Sequence, residues 1–418
     1  MGHLFWLTFF FLAGIISLFY PWIGVVISYF ITLLRPYKIW WWHFQGIRPF
    51  FTLAVPTLIG FVFYLFRGKV SFLPLKNRFV GAFFIWFFFV TLSYLFGPYV
   101  NIDSEYRFWD PAQIFDIEWK IFFYFFLACL LIDSREKLKY FTLPIILSSV
   151  YLIYWANSQY LWGHYYGRLR GPMGTDENFF AMMFVIGLPF FYYLGWYIHN
   201  KFFRYLLWIL IPFGWHAVFL TGSRGGLLGL VVTILFVAFR SPKKIFGFLL
   251  IPIFILAYQW QAGSVMKERA HTISEYEQES SAQTRLEAWQ AAIKMIKKHP
   301  FLGVGLASFG PAFPDFSDKK PRAAHNTFFQ IAAESGIVAG ISYLFIILSA
   351  FLLLFRASKF YKDKDPLLYF VSEATLTSLL GFFVCSMFLS LHLFEGFFYL
   401  CVIVNFFAYY NKIAQVHS

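Results

Sequence analysis

The sequence predicts an all-α polytopic membrane protein of about 12 transmembrane helices with one large, partly helical loop outside the membrane. Three observations lead there. Hydrophobic residues make up 60% of the chain and charged residues only 13%, whereas a soluble domain is about 45–50% apolar and about 25% charged. The apolar residues fall in long runs, and about 20 of them span a hydrocarbon core ~30 Å thick. Runs such as 79–96 lack the period-two alternation that a transmembrane barrel needs, so the spans are helices.

Apolar runs occur at 4–34, 50–66, 79–97, 118–132, 140–156, 179–198, 203–220, 225–239, 245–260, 326–355, 367–390 and 392–410. Tyr20-Pro21 interrupts the first, because proline lacks an N–H donor and blocks helix continuation; the count is 12, or 13 if 4–34 is a hairpin. Residues 4–19 lack a basic leader and a small-residue cleavage site, so this run is expected to stay as a membrane helix. The chain divides into an amino-terminal helix bundle (1–260), a hydrophilic loop (261–325) and carboxy-terminal helices (326–418). Alternate short loops differ in basic charge. One set carries 17 Lys and Arg, the other only 7. The positive-inside rule places the first set in the cytoplasm and 261–325 on the periplasmic side.

The net charge of +13 lies in these short loops and forms no single basic face, which argues against nucleic acid as a partner. Cys129, Cys385 and Cys401 all fall within apolar runs without metal-ligand spacing, so no metal site or cofactor is expected. The 65-residue loop 261–325 holds nine Lys and Arg and seven Asp and Glu. Within it, residues 283–298 place Leu286, Trp289, Ile293 and Ile296 at helical spacing. Cations at Lys294, Lys297 and Lys298 suit the end of a helix, and Pro300 stops it. We expect an amphipathic helix resting on the bundle or the membrane surface.

Few polar residues face the periplasmic side. Thr221-Gly222-Ser223-Arg224-Gly225-Gly226 puts an arginine at a membrane edge, where it is costly unless it faces a cavity or partner. A guanidinium binds phosphate in bidentate fashion, although snorkelling to headgroups would also explain it. Arg285 borders the apolar face of the loop helix, in place to reach a cleft below or to pair with a neighbouring Glu. His325 at the start of the run 326–355 is a candidate general base, and Asn326 is a candidate helix cap. Glu334, eight residues on, falls about 12 Å deeper by helical rise. Arg168 and Arg170 precede the Gly-rich stretch Gly171-Pro172-Met173-Gly174, and Asp176-Glu177 suit a helix start. Arginines with one histidine and no acidic metal cluster suit a diphosphate donor and an activated hydroxyl.

Four motifs in order now carry a resemblance. Thr221-Gly222-Ser223-Arg224-Gly225-Gly226 is followed by Thr284-Arg285-Leu286-Glu287-Ala288-Trp289. Then come His299-Pro300-Phe301-Leu302-Gly303-Val304-Gly305 and Ala324-His325-Asn326-Thr327-Phe328-Phe329-Gln330, running on to Glu334-Ser335-Gly336. Together they resemble the O-antigen ligase and O-antigen polymerase superfamily over about residues 165–345. The resemblance implies a GT-C-like membrane glycosyltransferase of the bacterial inner membrane, without a cofactor or metal. The partners it implies are an undecaprenyl-diphosphate-linked glycan donor and a lipid A-core acceptor, in a lipid membrane. It implies that Arg224 and Arg285 hold the diphosphate and that His325 takes the proton from the acceptor hydroxyl, with inversion. Arg168, Arg170, Asn326 and Glu334 would then bind substrate. Tyr20-Pro21-Trp22-Ile23-Gly24 and Arg35-Pro36 resemble the exosortase-associated O-glycosylation branch, which adds protein as an acceptor. Polymerisation of O-units is a further version of the enzyme. A lipid-linked oligosaccharide flippase, from another class, would spread its charges through the helices; here they gather on one side.

Overall fold

The computed structural model describes residues 2–164, 167–271 and 280–416, and among these all regular structure is helical apart from a lone bridge between Gly171 and Thr175. The amino-terminal part contains α1 (Gly2–Phe19), α2 (Pro21–Leu34), the single turn α3 (Pro36–Ile39) and α4 (Pro49–Phe66). It continues through α5 (Arg78–Phe96), α6 (Pro111–Leu131), α7 (Arg135–Phe141) and α8 (Leu143–Leu161). A central group follows: α9 (Glu177–Tyr197), α10 (Lys201–Thr221), α11 (Arg224–Arg240) and α12 (Lys244–Gln261). The hydrophilic segment holds α13 (Ser264–His271), α14 (Ser280–Lys298) and the short α15 (Phe309–Ala312). The chain closes with α16 (Thr327–Ser335), α17 (Ile337–Tyr361), α18 (Pro366–Ser386) and α19 (Glu395–Val416).

Among the described residues, nine helical spans are long and apolar enough to cross a membrane, against the 12 or 13 runs in the hydropathy pattern. Three of the helices outside this count show why. Only 14 residues form α2, about 21 Å at the helical rise and short of a full span. Seventeen form α11, and α6 carries Asp116, Glu118 and Lys120 within its length. The run 4–34 is a hairpin broken at Tyr20, where the backbone leaves helical geometry. Trp6 of α1 packs on Trp40 and Phe44, at 5.7 and 4.8 Å between ring centres, beyond the far end of α2. The two helices therefore run antiparallel.

At the centre lies α9, apolar all round and buried along nearly its whole length from Phe180 to Gly195, as expected of a helix surrounded by others. It packs against α8, α10, α11 and α18. Small residues set these distances: a Cβ on Gly226 would stand 2.7 Å from that of Ala181, and one on Gly229 would meet Cys385 Sγ at 2.9 Å. All three cysteines are free and buried.

Loops of one kind meet at one end of this bundle. Tyr99 N donates to Val304 O at 3.0 Å and Leu169 N to Leu220 O at 2.8 Å, while Asn326 Nδ2 donates to Met387 O at 3.2 Å. The other end is tied by Asn77 Nδ2 to Asn405 Oδ1 at 2.8 Å, by Arg135 to Asp365 and by Arg240 to Glu373. The alternation of loop charge in the sequence is thus an alternation between two ends of one bundle.

Two expectations change in detail. The helix predicted at 283–298 exists, but it seats on Ala288, Ala291, Ala292 and Met295, which are buried against Val304, Phe309 and Phe313. Leu286 and Ile293 are exposed. Alanine lets the helix approach closely, and the aromatic residues beneath supply the bulk. The run 326–355 is two helices, because Gly336 (φ 89°, ψ 163°) breaks it. A Cβ there would lie 2.0 Å from Phe301 O, since the loop 299–305 is laced to the break by Ile337 N to Pro300 O and Val304 N to Ala333 O, each 2.8 Å. Glu334 keeps its place eight residues along α16 from Asn326, about 12 Å at the helical rise, but that helix is the short one ahead of the spanning α17.

We expect Gly336→Ala to lower stability by about 1–3 kcal/mol, the cost of a strained backbone position. Gly263, where a Cβ would meet nothing within 4 Å, serves as the control for Ala substitution. Thermal unfolding in detergent checks this: a melting temperature lowered for Gly336→Ala alone is the expected result.

Candidate functional site

The site is built on the corner between α10 and α11. Gly222 takes a left-handed conformation (φ 61°) at the end of α10, which glycine adopts without steric cost. Ser223 then caps α11, its hydroxyl accepting from Gly226 N at 3.1 Å, and Thr221 Oγ1 accepts from Ser223 N at 3.1 Å. Arg224 follows in the first turn of α11, buried at 8% exposure.

The end of α10 presents carbonyls that have no partner within the helix and carry the negative end of its dipole. Two guanidiniums meet them. Arg168 Nε donates to Thr221 O at 3.1 Å, and Arg269 Nε donates to Gly222 O at 2.8 Å. Arg168 also pairs with Glu177 and reaches Asn178 Oδ1 at 3.4 Å. Arg170 lies 3.4 Å from Glu177 with its side chain 64% exposed. Asp176 caps α9, accepting from Asn178 N at 2.9 Å and Phe179 N at 3.1 Å. A further basic loop adjoins this turn: Lys38 Nζ donates to Thr175 Oγ1 at 3.4 Å, and Arg35 pairs with Glu395 at 2.9 Å.

Arg285 projects from α14 with its guanidinium carbon 5.8 Å from the Phe388 ring centre. A Cβ on Gly225 would lie 3.6 Å from that of Phe388, so one aromatic side chain joins the first turn of α11 to the arginine of α14.

His325 stands just before α16, and Asn326 is the cap, accepting from Phe329 N at 3.1 Å. His325 has a positive φ of 47°, which costs a non-glycine residue free energy and persists only where neighbours enforce it. Both neighbours are tied down. Ala324 N donates to Gln330 Oε1 at 3.3 Å and Ala324 O accepts from Trp289 Nε1 at 3.0 Å, while Asn326 Nδ2 donates to Met387 O. The residue as a whole is exposed, yet desolvation by the surrounding protein lowers its pKa below 6.5. The positive charges of Arg285 and Arg322 add to this, and the Asp176 carboxylate opposes it. Neutral imidazole is the form that accepts a proton.

Of the predicted residues, the fold gathers Arg168, Arg170, Arg224, Arg285 and His325 at this end. Asn326 is spent as a cap. Glu334 is buried at 4% exposure and its Oε1 accepts from Phe309 N at 3.1 Å, while its own carbonyl accepts from Ser93 Oγ at 2.6 Å. Burial pushes its pKa up to about 7. Glu334 thus fastens the loop 305–309. Arg269, Arg322 and Phe388 escaped the sequence reading: nothing in their spacing signals them, although the bare carbonyl end of α10 calls for a donor. Among the described residues, no three His, Cys, Asp or Glu are grouped to hold a metal ion.

Loss of the Arg285 charge is expected to raise the pKa of His325. The pH profile of diethyl pyrocarbonate modification at His325, read by mass spectrometry, checks this. The midpoint should lie below 6.5 in the wild type and move upward in Arg285→Gln.

Residues 206–344, from α10 into the first turns of α17, match the family model described as O-antigen ligase. That match supports membership of the O-antigen ligase and polymerase superfamily, and it includes Arg224, Arg269, Arg285 and His325. No curated protein matches the chain.

Proposed function

We propose, with the O-antigen ligase match over residues 206–344 as premise, that this protein is a membrane glycosyltransferase. It moves a glycan from undecaprenyl diphosphate to an acceptor hydroxyl. The observation that carries the reading is the strained, proton-accepting His325 held beside Arg285, at the end of the bundle that also presents Arg224. The poverty of Lys and Arg in the short loops at that end supports a periplasmic site in the bacterial inner membrane.

In this mechanism His325 takes the proton of the acceptor hydroxyl while its oxygen bonds to the anomeric carbon. The bond from that carbon to the diphosphate oxygen breaks on the opposite face, so configuration inverts. The electron pair leaves with undecaprenyl diphosphate, whose growing charge Arg224 and Arg285 offset. The proton then passes from His325 to solvent. Arg170, at the rim, adds attraction for the donor, and Arg168 holds the corner in shape through Thr221 and Glu177. Asn326 and Glu334 act as positioning residues: one fixes the backbone after His325, the other the loop beneath. Lipid A-core is the acceptor we favour, because one dominant hydrophilic segment suits ligation; protein or a growing O-unit chain are the alternatives. No metal takes part.

His325→Ala should reduce transfer by about 10²–10⁴-fold, the usual worth of a positioned base. His325→Gly should do the same while keeping or raising the melting temperature, because glycine relieves the strained φ. Reconstituted protein with a polyprenyl-diphosphate glycan and defined acceptors measures both; retained transfer in either variant rejects the base.

Arg224→Ala and Arg285→Ala should weaken donor binding more than acceptor binding, seen as separate KM values. Activity should survive EDTA. Inhibition reversed by a divalent cation would contradict the mechanism.

A further inference from the structure

The other end of the bundle carries a built cavity that the proposed chemistry does not use. It measures 540 Å³ and lies where α11 ends, α12 begins and α17 meets α18. Its walls hold Arg240, Lys244, Arg356, Lys359 and Lys362, with Glu373 as the one carboxylate. Glu373 is 1% exposed and fully engaged. Its Oε2 accepts from Arg240 Nε at 3.1 Å, and its Oε1 accepts from Arg240 Nη2 and from the Ser358 hydroxyl. A buried carboxylate is tolerable only when paired and hydrogen-bonded in this way. It neutralises Arg240 and fixes it 5.0 Å from the Phe355 ring centre.

The other four cations are left without that compensation. Among the described residues, none of Lys244, Arg356, Lys359 and Lys362 forms an ion pair with a carboxylate. Asp363, near Tyr369 at the rim, leaves the balance positive. A neighbouring cavity of 640 Å³ shares Arg356 and Lys359 and adds Lys364. The apolar surface beside the cations is equally telling. Phe239 and Phe355 line the first cavity, and they continue into exposed Leu352 and Phe248 on the flanks of α17 and α12. Phe239 and Phe248 stack edge to face, 5.5 Å between ring centres.

We infer that this cavity binds a phosphate group, and that an anionic phospholipid supplies it. The headgroup sits among Arg356, Lys359 and Lys362, and the acyl chains run along the Phe239–Phe355 surface. Polar and apolar requirements adjoin, in the order a lipid presents them. The site is distinct from the sugar-transfer end and does not depend on that reading.

The test uses the full chain in detergent, titrated with phosphatidylglycerol, phosphatidylcholine or inorganic phosphate, with native mass spectrometry and the melting temperature as readouts. Phosphatidylglycerol should bind and raise the melting temperature at concentrations where phosphatidylcholine does not, and salt should weaken it. The variant Arg356→Gln/Lys359→Gln/Lys362→Gln should bind it roughly ten- to a hundredfold more weakly, as expected for three basic side chains near an anionic headgroup. Removing three cations at the same end but away from the cavity, Arg67→Gln/Lys69→Gln/Lys76→Gln, should leave binding unchanged. A response to inorganic phosphate but not to the lipid would keep the phosphate site and reject the lipid as its source. Equal binding of both lipids, or equal losses in the two triple variants, would overturn the site.

Discussion

The carbonyl end of α10 is the constraint around which the transfer end of the molecule is arranged. A helix that stops inside a protein leaves carbonyls facing a region of low dielectric, and they need donors. Arg168 and Arg269 supply them from opposite directions, one from the loop before α9 and one from α13. That choice brings two otherwise remote segments onto one corner. The turn itself is short because Gly222 adopts a left-handed conformation, and α11 departs at once with Arg224 in its first turn. Gly226 and Gly229 then let α11 lie against α9 and α18, so the guanidinium of Arg224 is delivered to the end of a rigid, buried bundle.

The second half of the site is held by different means. His325 is kept at an unfavourable φ by hydrogen bonds to both adjacent residues, and these reach α14 and the segment after α18. Gly336 and the loop 299–305 fix α16 against the start of α17. Phe388 links the two halves by touching the α11 corner and lying under Arg285. A base and two arginines from three separated stretches thus share one end. Glu334 belongs to this support: a carboxyl group buried beneath the loop 305–309 gives up any role toward solvent to hold backbone N–H groups.

Much of this was legible from residue order. The hydropathy runs coincide with the apolar helices and the unequal basic loops with two ends of the bundle, because both signals reflect a solvent boundary that acts on each segment separately. The four motifs mark Arg224, Arg285 and His325. The readings that fail are those in which one segment answers to another. The face on which α14 rests keeps Trp289 and Ile296 of the expected stripe but replaces Leu286 and Ile293 with alanines, since large side chains beneath it need room. Residues 326–355 read as one apolar run, yet Gly336 breaks it because Phe301 O lies where a Cβ would be. Arg269 and Phe388 have no periodicity or motif to announce them.

By itself the sequence determined that the chain is helical and membrane-embedded, which loops share an end, and which few polar residues at the end with the less basic short loops merit attention. Those properties follow from transfer free energies and charge placement, which are local and additive along the chain. Tertiary structure alone decided that Glu334 holds the fold, that His325 is kept in a strained conformation, and that Arg168 and Arg269 share the end of α10. It also decided that Arg240, Glu373 and Ser358 meet at the opposite end beside a basic cavity. Each of these is a contact between groups far apart in sequence, set by packing and by the need to satisfy buried polar atoms, and no local pattern encodes it.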